Sequence, residues 1–85
     1  NYNHTHTHTM LPLLVLYFPV GTRVAFGPHT DQFMRGQRYG EVTSIRRTAD
    51  GWVWYVRPYR GPARQRIRIA ERDINGGAEL ITRMP

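Results

Sequence analysis

The chain has 85 residues, with 12 basic side chains against 6 acidic ones and a formal net charge of +6. A chain this short holds one small domain, or one domain with an arm, and excludes a large core that encloses a substrate. It has no cysteine, which excludes disulfides, thiolate metal sites and a cysteine nucleophile. Every basic residue is an arginine. A planar guanidinium suits bidentate contact with phosphate or carboxylate; GC-rich coding produces the same bias.

The chain opens polar, with His4, His6 and His8 alternating with Thr5, Thr7 and Thr9. In an extended chain the three imidazoles share one face, some 6–7 Å apart, and imidazole suits zinc, copper or nickel. No carboxylate lies near them in sequence to orient the rings. The expectation is therefore a polar tail, native or of the kind added for nickel capture, with no metal and no cofactor. Met10 to Phe18 is apolar, and its nine residues fall far short of the roughly 20 that a transmembrane helix requires. It lacks the basic start and small-residue cleavage site of a secretory signal. No membrane association is expected, and the location reads as cytoplasmic, or within a virion if the chain is an assembly component.

Pro12 discourages a helix here, whereas Val, Leu, Tyr and Phe suit an extended chain. Residues 1–18 thus read as a polar tail and an extended apolar arm. Leu11, Leu13, Val15 and Tyr17 would point one way, and Leu14, Leu16 and Phe18 the other. Both faces then need cover. A buried first strand supplies it from within; a second copy or a protein partner supplies it from outside.

Residues 19–85 read as short strands between turn signals. Val20 to Phe26 alternates, with Val24 and Phe26 inward, and Gly27-Pro28 ends it. A connection without clear period follows to Tyr39, carrying Phe33 and Met34 as a loop anchor or an exposed contact. Gly40 to Arg46 is the second strand, with an irregularity because Val42 and Ile45 stand three apart. Asp50-Gly51 marks a tight hairpin. Trp52 to Arg57 is the third strand, with Trp52, Trp54 and Val56 on the core face and Val53, Tyr55 and Arg57 on the other. Pro58 to Pro62 is a loop. Arg64 to Ile69 is the fourth strand, with Ile67 and Ile69 inward and Arg64, Arg66 and Arg68 outward. Ala70 to Ile74 reads as one helical turn, broken by Asn75-Gly76-Gly77, and Ala78 to Thr82 as a last strand. The fold class is all-β, a five-stranded antiparallel barrel with an N-terminal arm.

This order resembles the SH3-like barrel, including its basic members in translation, transcription and mobile-element proteins. The opening Val20-Gly21-Thr22-Arg23-Val24 and the later Tyr39-Gly40-Glu41-Val42 resemble the paired glycine-then-strand openings of such barrels. The likeness covers Val20 to Thr82 and implies fold more than function. It extends to the small barrel of the plasmid-borne, trimethoprim-resistant dihydrofolate reductases. Their Val-Gln-Ile-Tyr pore motif falls near Gln65-Arg66-Ile67-Arg68, where Arg68 takes the place of the tyrosine.

The carboxylates Asp31, Glu41, Asp50, Glu71, Asp73 and Glu79 are scattered, and His29 with Asp31 is the only adjacent acid–base couple. No phosphate-cradling glycine loop and no nucleophile–base spacing accompany them, so no enzymatic activity is expected. The arginines are more informative. Arg64, Arg66 and Arg68 at two-residue spacing make a strand row about 13 Å long. Arg57 falls beside it, Arg46 and Arg47 extend it at the hairpin mouth, and Tyr55 and Tyr59 supply stacking faces. The opposing reading is a solvated face balanced by Glu41, Glu71 and Asp73. The leading expectation is a non-enzymatic module that binds nucleic acid or a nucleoprotein complex through these residues. The alternative is a structural or assembly protein, such as a virion or phage component, that oligomerises or docks on a partner through Leu11, Leu13, Leu14, Val15, Leu16, Tyr17 and Phe18.

Overall fold

The alternation of apolar and polar residues is realised as five strands: β1 (Arg23–Phe26), β2 (Tyr39–Thr48), β3 (Gly51–Pro58), β4 (Ile67–Ala70) and β5 (Ile81–Arg83). The structure is a computed structural model and describes residues 12–75 and 79–85. His4, His6, His8 and Leu11, and the start of the last expected strand at Ala78, lie outside the described residues. All five strands join one antiparallel sheet in the order β4-β3-β2-β1-β5. The first four form a meander, and β5 returns to the free side of β1. No helix among the described residues is long and apolar enough to cross a membrane.

One buried cluster draws on every strand: Val24 and Phe26 from β1, Val42 from β2, Trp54 and Val56 from β3, Ile69 from β4 and Ile81 from β5. A single core shared by all five strands requires the sheet to wrap around it. The wrap is helped by a bulge. Register breaks between Val42, opposite Val56, and Ser44, opposite Tyr55. Thr43 is the extra residue, its hydroxyl 3.1 Å from the Tyr55 carbonyl that it donates to. The irregularity expected from the Val42–Ile45 spacing is therefore present, and such a bulge bends and twists its strand. The hairpin is where Asp50-Gly51 places it: Thr48 pairs with Gly51, and Gly51 takes a φ of 118°. The Thr48 hydroxyl locks the turn, donating to the Gly51 carbonyl at 2.8 Å and accepting from the Asp50 amide at 3.2 Å. Trp54 is fully buried, while Trp52 is half-buried against the same cluster.

The extended arm is corrected. Leu13–Tyr17 is a helical turn, α1, with Pro12 as its N-cap in extended backbone. At that position proline's missing N–H and fixed φ do no harm, and its carbonyl accepts from the Val15 and Leu16 amides at 3.0 and 3.4 Å. Helical rather than strand spacing then sorts the apolar side chains. Leu14 and Val15 pack on the core, Phe18 is only 3% exposed, and Leu13, Leu16 and Tyr17 face outward. The segment is tied down at two points. The buried Trp54 indole Nε1 donates to the Phe18 carbonyl at 3.0 Å. Arg83 donates to the Tyr17 carbonyl at 2.9 Å and lies 5.0 Å from that ring's centre.

A second helical turn, α2 (Asp31–Met34), sits in the connection that shows no period in sequence. Thr30 explains it: its hydroxyl accepts from the Phe33 amide at 3.2 Å and donates to the Gly27 carbonyl at 2.7 Å, an N-cap of ordinary kind. The third turn, α3 (Glu71–Asn75), follows β4. Asp73 starts it by accepting from the Ala70 amide at 3.0 Å.

Candidate functional site

Antiparallel register decides which side chains share the outer face of the sheet. With Thr43 bulged out, Glu41, Ser44 and Arg46 of β2 stand opposite Arg57, Tyr55 and Val53 of β3; Arg68 and Ala70 of β4 stand opposite Tyr55 and Val53 in turn, and Val53 and Ala70 are themselves buried. The row Ser44–Tyr55–Arg68 crosses three strands. Arg46 and Arg66 flank it, and these two with Ser44 and Tyr55 line an open depression of about 460 Å³. One row further along, Arg23, Glu41 and Arg57 stand side by side. Arg23 joins this row only through β1–β2 pairing, which no local pattern in the sequence shows.

The expected arginine row is broken. Arg68 is on β4 facing outward, but Arg64 lies in a turn and Arg66 in the loop before the strand. Two causes act. Gly61-Pro62 starts a turn that closes with the Gln65 amide donating to the Pro62 carbonyl at 3.0 Å. Gln65 is then captured by the buried Gln37, whose Nε2 donates to Gln65 Oε1 at 2.7 Å and to the Arg60 carbonyl at 3.0 Å. Gly61 is needed there: its φ is +102°, and a Cβ would lie 2.5 Å from Gln37 Nε2. Arg66 bonds to its own loop, donating to the carbonyls of Gln65 at 2.8 Å and Ala63 at 3.2 Å.

Arg46 and Arg47 do not extend one track. Alternation sends Arg47 to the opposite side of the sheet from Arg46, opposite Trp52 and 5.9 Å from that ring's centre. Arg57 is on the face, but it donates to Glu41 at 3.4 Å, so part of its charge is answered within the protein. This is the only arginine–carboxylate pair among the described residues. Of the other acids thought to balance the face, Asp73 accepts from the Ala70 amide and Glu71 from the Trp52 amide at 3.4 Å. Both are engaged by backbone N–H groups. Arg46, Arg66 and Arg68 have no carboxylate partner among the described residues.

The outer face continues beyond β3. Tyr59 donates its amide to the Tyr39 carbonyl at 3.0 Å, which carries the ladder one residue past Pro58. Tyr55, Arg57 and Tyr59 thus follow each other at two-residue steps on one side, and the Arg57 guanidinium sits 5.5 Å from the Tyr59 ring centre. Tyr39 and Tyr59 are both exposed and border a cleft with Arg38 and Arg60. Of these, Tyr59 is legible in the sequence as a site residue, whereas Tyr39 and Arg38 are not expected there. The usable signal was the mirrored order of Arg38-Tyr39 and Tyr59-Arg60, which antiparallel pairing brings face to face. Phe33 is half-buried and holds the Arg38 guanidinium 4.5 Å from its ring centre, whereas Met34 is exposed.

Among the described residues, no group of three or more His, Asp or Glu side chains could hold a metal ion. The N-terminal contact residues are divided by the fold: Leu13, Leu16 and Tyr17 are exposed, Leu14 and Val15 are partly covered, and Phe18 is a core residue. No protein-family model, curated protein or solved structure matches this chain.

Proposed function

We propose that this chain is a non-enzymatic module that binds nucleic acid, alone or within a nucleoprotein complex, through the outer face of its sheet. The observation that carries the reading is the trio Arg46, Arg66 and Arg68 around Tyr55, with no carboxylate beside them to neutralise it. Guanidinium groups without internal acid partners favour phosphodiester oxygens, and a ring among them offers a base a surface to stack on. Arginines on a sheet face reach phosphates rather than base edges, so little sequence preference is expected. The meander with its returning fifth strand supports the SH3-like likeness, which by itself carries no function.

Salt titration tests it. If Arg46, Arg57, Arg66 and Arg68 each neutralise a phosphate, log affinity falls with log salt at a slope of about −3 to −4. Replacing Arg46, Arg66 and Arg68 by alanine then flattens that slope by about 2–3 and weakens binding to all sequences alike. Affinity weaker than about 0.1 mM at physiological salt, without salt dependence, refutes it.

A second reading rests on a different surface. Leu13, Leu16 and Tyr17 are exposed beside one another, with Arg83 at the edge of a shallow apolar depression of about 430 Å³. This patch supports self-association as a structural or assembly component, with a second copy as the occupant. A chain that stays monomeric by light scattering at millimolar concentration removes that reading.

A further inference from the structure

We propose that the ligand of this face is an unpaired strand, and that the Tyr39–Tyr59 cleft is a second base-stacking station. The inference rests on the nucleic-acid reading and specifies its substrate.

The cleft is built from two strand ends that pairing locks together. Gly40 stands opposite Pro58, and the Tyr59 amide bonds to the Tyr39 carbonyl at 3.0 Å. This places two exposed tyrosines opposite each other at the end of the ladder, both lining the cleft, with Arg57 over one side of the Tyr59 ring. Gly40 lets the strands come this close: a Cβ there would lie 2.7 Å from the Arg57 carbonyl oxygen. A cation sits on either side, each held from behind. Arg38 rests on the Phe33 ring at 4.5 Å, and the backbone of Arg60 is fixed by Gln37 at 3.0 Å. The cleft encloses about 340 Å³, of the size a single base can enter. Aromatic faces with flanking guanidinium groups, set before the ligand arrives, match the stacking platforms of single-strand binders.

Spacing argues for an unpaired strand. Tyr55 and Tyr59 are four residues apart on one side of an extended chain, about 13 Å, with Arg57 between them. Neighbouring bases of a duplex rise only about 3.4 Å and keep their faces covered. A duplex therefore cannot offer a base face to both stations. A strand with splayed bases can, placing one base at Tyr55 and another at the cleft, with Arg57 facing the phosphates between.

The test uses the full chain and a fluorescein-labelled 12-nucleotide oligothymidylate, with a 12-base-pair duplex as comparison, read by anisotropy. The wild-type chain is expected to prefer the single strand. The double variant Tyr39→Leu, Tyr59→Leu should bind the single strand at least about tenfold more weakly. Its duplex affinity and its salt slope should be unchanged, since no cation is removed. Tyr39→Phe with Tyr59→Phe keeps the rings and should stay within about twofold of wild type. Both tyrosines are exposed, and matching melting curves would show that the variants remain folded. If the leucine variant binds the single strand as wild type does, or if wild type holds the duplex equally well, this inference is overturned and the nucleic-acid reading stands. If wild type binds neither probe, the nucleic-acid reading itself has failed.

Discussion

Replacing Phe18 by alanine should unfold much of what holds this domain together, although Phe18 ends the segment that reads in sequence as an arm. The side chain is 3% exposed, within the same cluster as Trp54 and Val56. Truncating a buried phenylalanine to alanine costs about 3–5 kcal/mol. A domain of this length is stable by roughly 4–13 kcal/mol in total, so one substitution removes a large share. At about 4–8 °C per kcal/mol for so small a domain, the melting temperature should fall by at least about 12 °C. Leu13→Ala is the control from the same segment: with 82% exposure it should change stability by less than about 0.5 kcal/mol. Urea melts followed by the fluorescence of Trp52 and Trp54 measure both. A loss below about 1 kcal/mol for Phe18→Ala, or equal losses for the two variants, would show that residues 13–18 are not packed on the sheet as described.

Two further outcomes follow from the face and its supporting loop. Glu41→Gln removes the carboxylate that engages Arg57 at 3.4 Å, with side-chain exposures of 35% and 36% for the pair. It should cost less than about 1 kcal/mol of stability and tighten nucleic-acid binding a few-fold at low salt. Weaker binding in the same titration would mean that Glu41 positions Arg57 for the ligand. Gly61→Ala forces a side chain into a φ of +102° and against Gln37. A destabilisation of about 1–3 kcal/mol is expected, with a loss of binding because the loop carrying Tyr59, Arg60 and Arg66 must move. Unchanged urea melts and affinity would show that the loop is not held through that contact.

Short-range information was enough for much of the fold. Alternating residues placed Val24, Phe26, Trp54 and Ile69 inward, Asp50-Gly51 located the hairpin, and the three-residue step from Val42 to Ile45 revealed the bulge. Each is a property of neighbours in the chain, governed by the two-residue period of a strand or by the conformational freedom of one glycine. The N-terminal segment failed that treatment because an apolar run carries no period of its own. Whether it is strand or helix is decided by what it packs on, here the indole of Trp54 from 36 residues away. The candidate site divides in the same way. Tyr55, Arg57 and Arg68 share a face by alternation and were legible, whereas Arg64 and Arg66 were drawn off the strand by a Gln65–Gln37 pair across 28 residues. Arg38 and Tyr39 joined Tyr59 only through β2–β3 register. Composition and periodicity determined that this is a small, arginine-rich sheet with Tyr55, Arg57 and Arg68 on the side away from the main core. Which arginines stand together on that face depended on hydrogen bonds between distant segments, which no local pattern encodes.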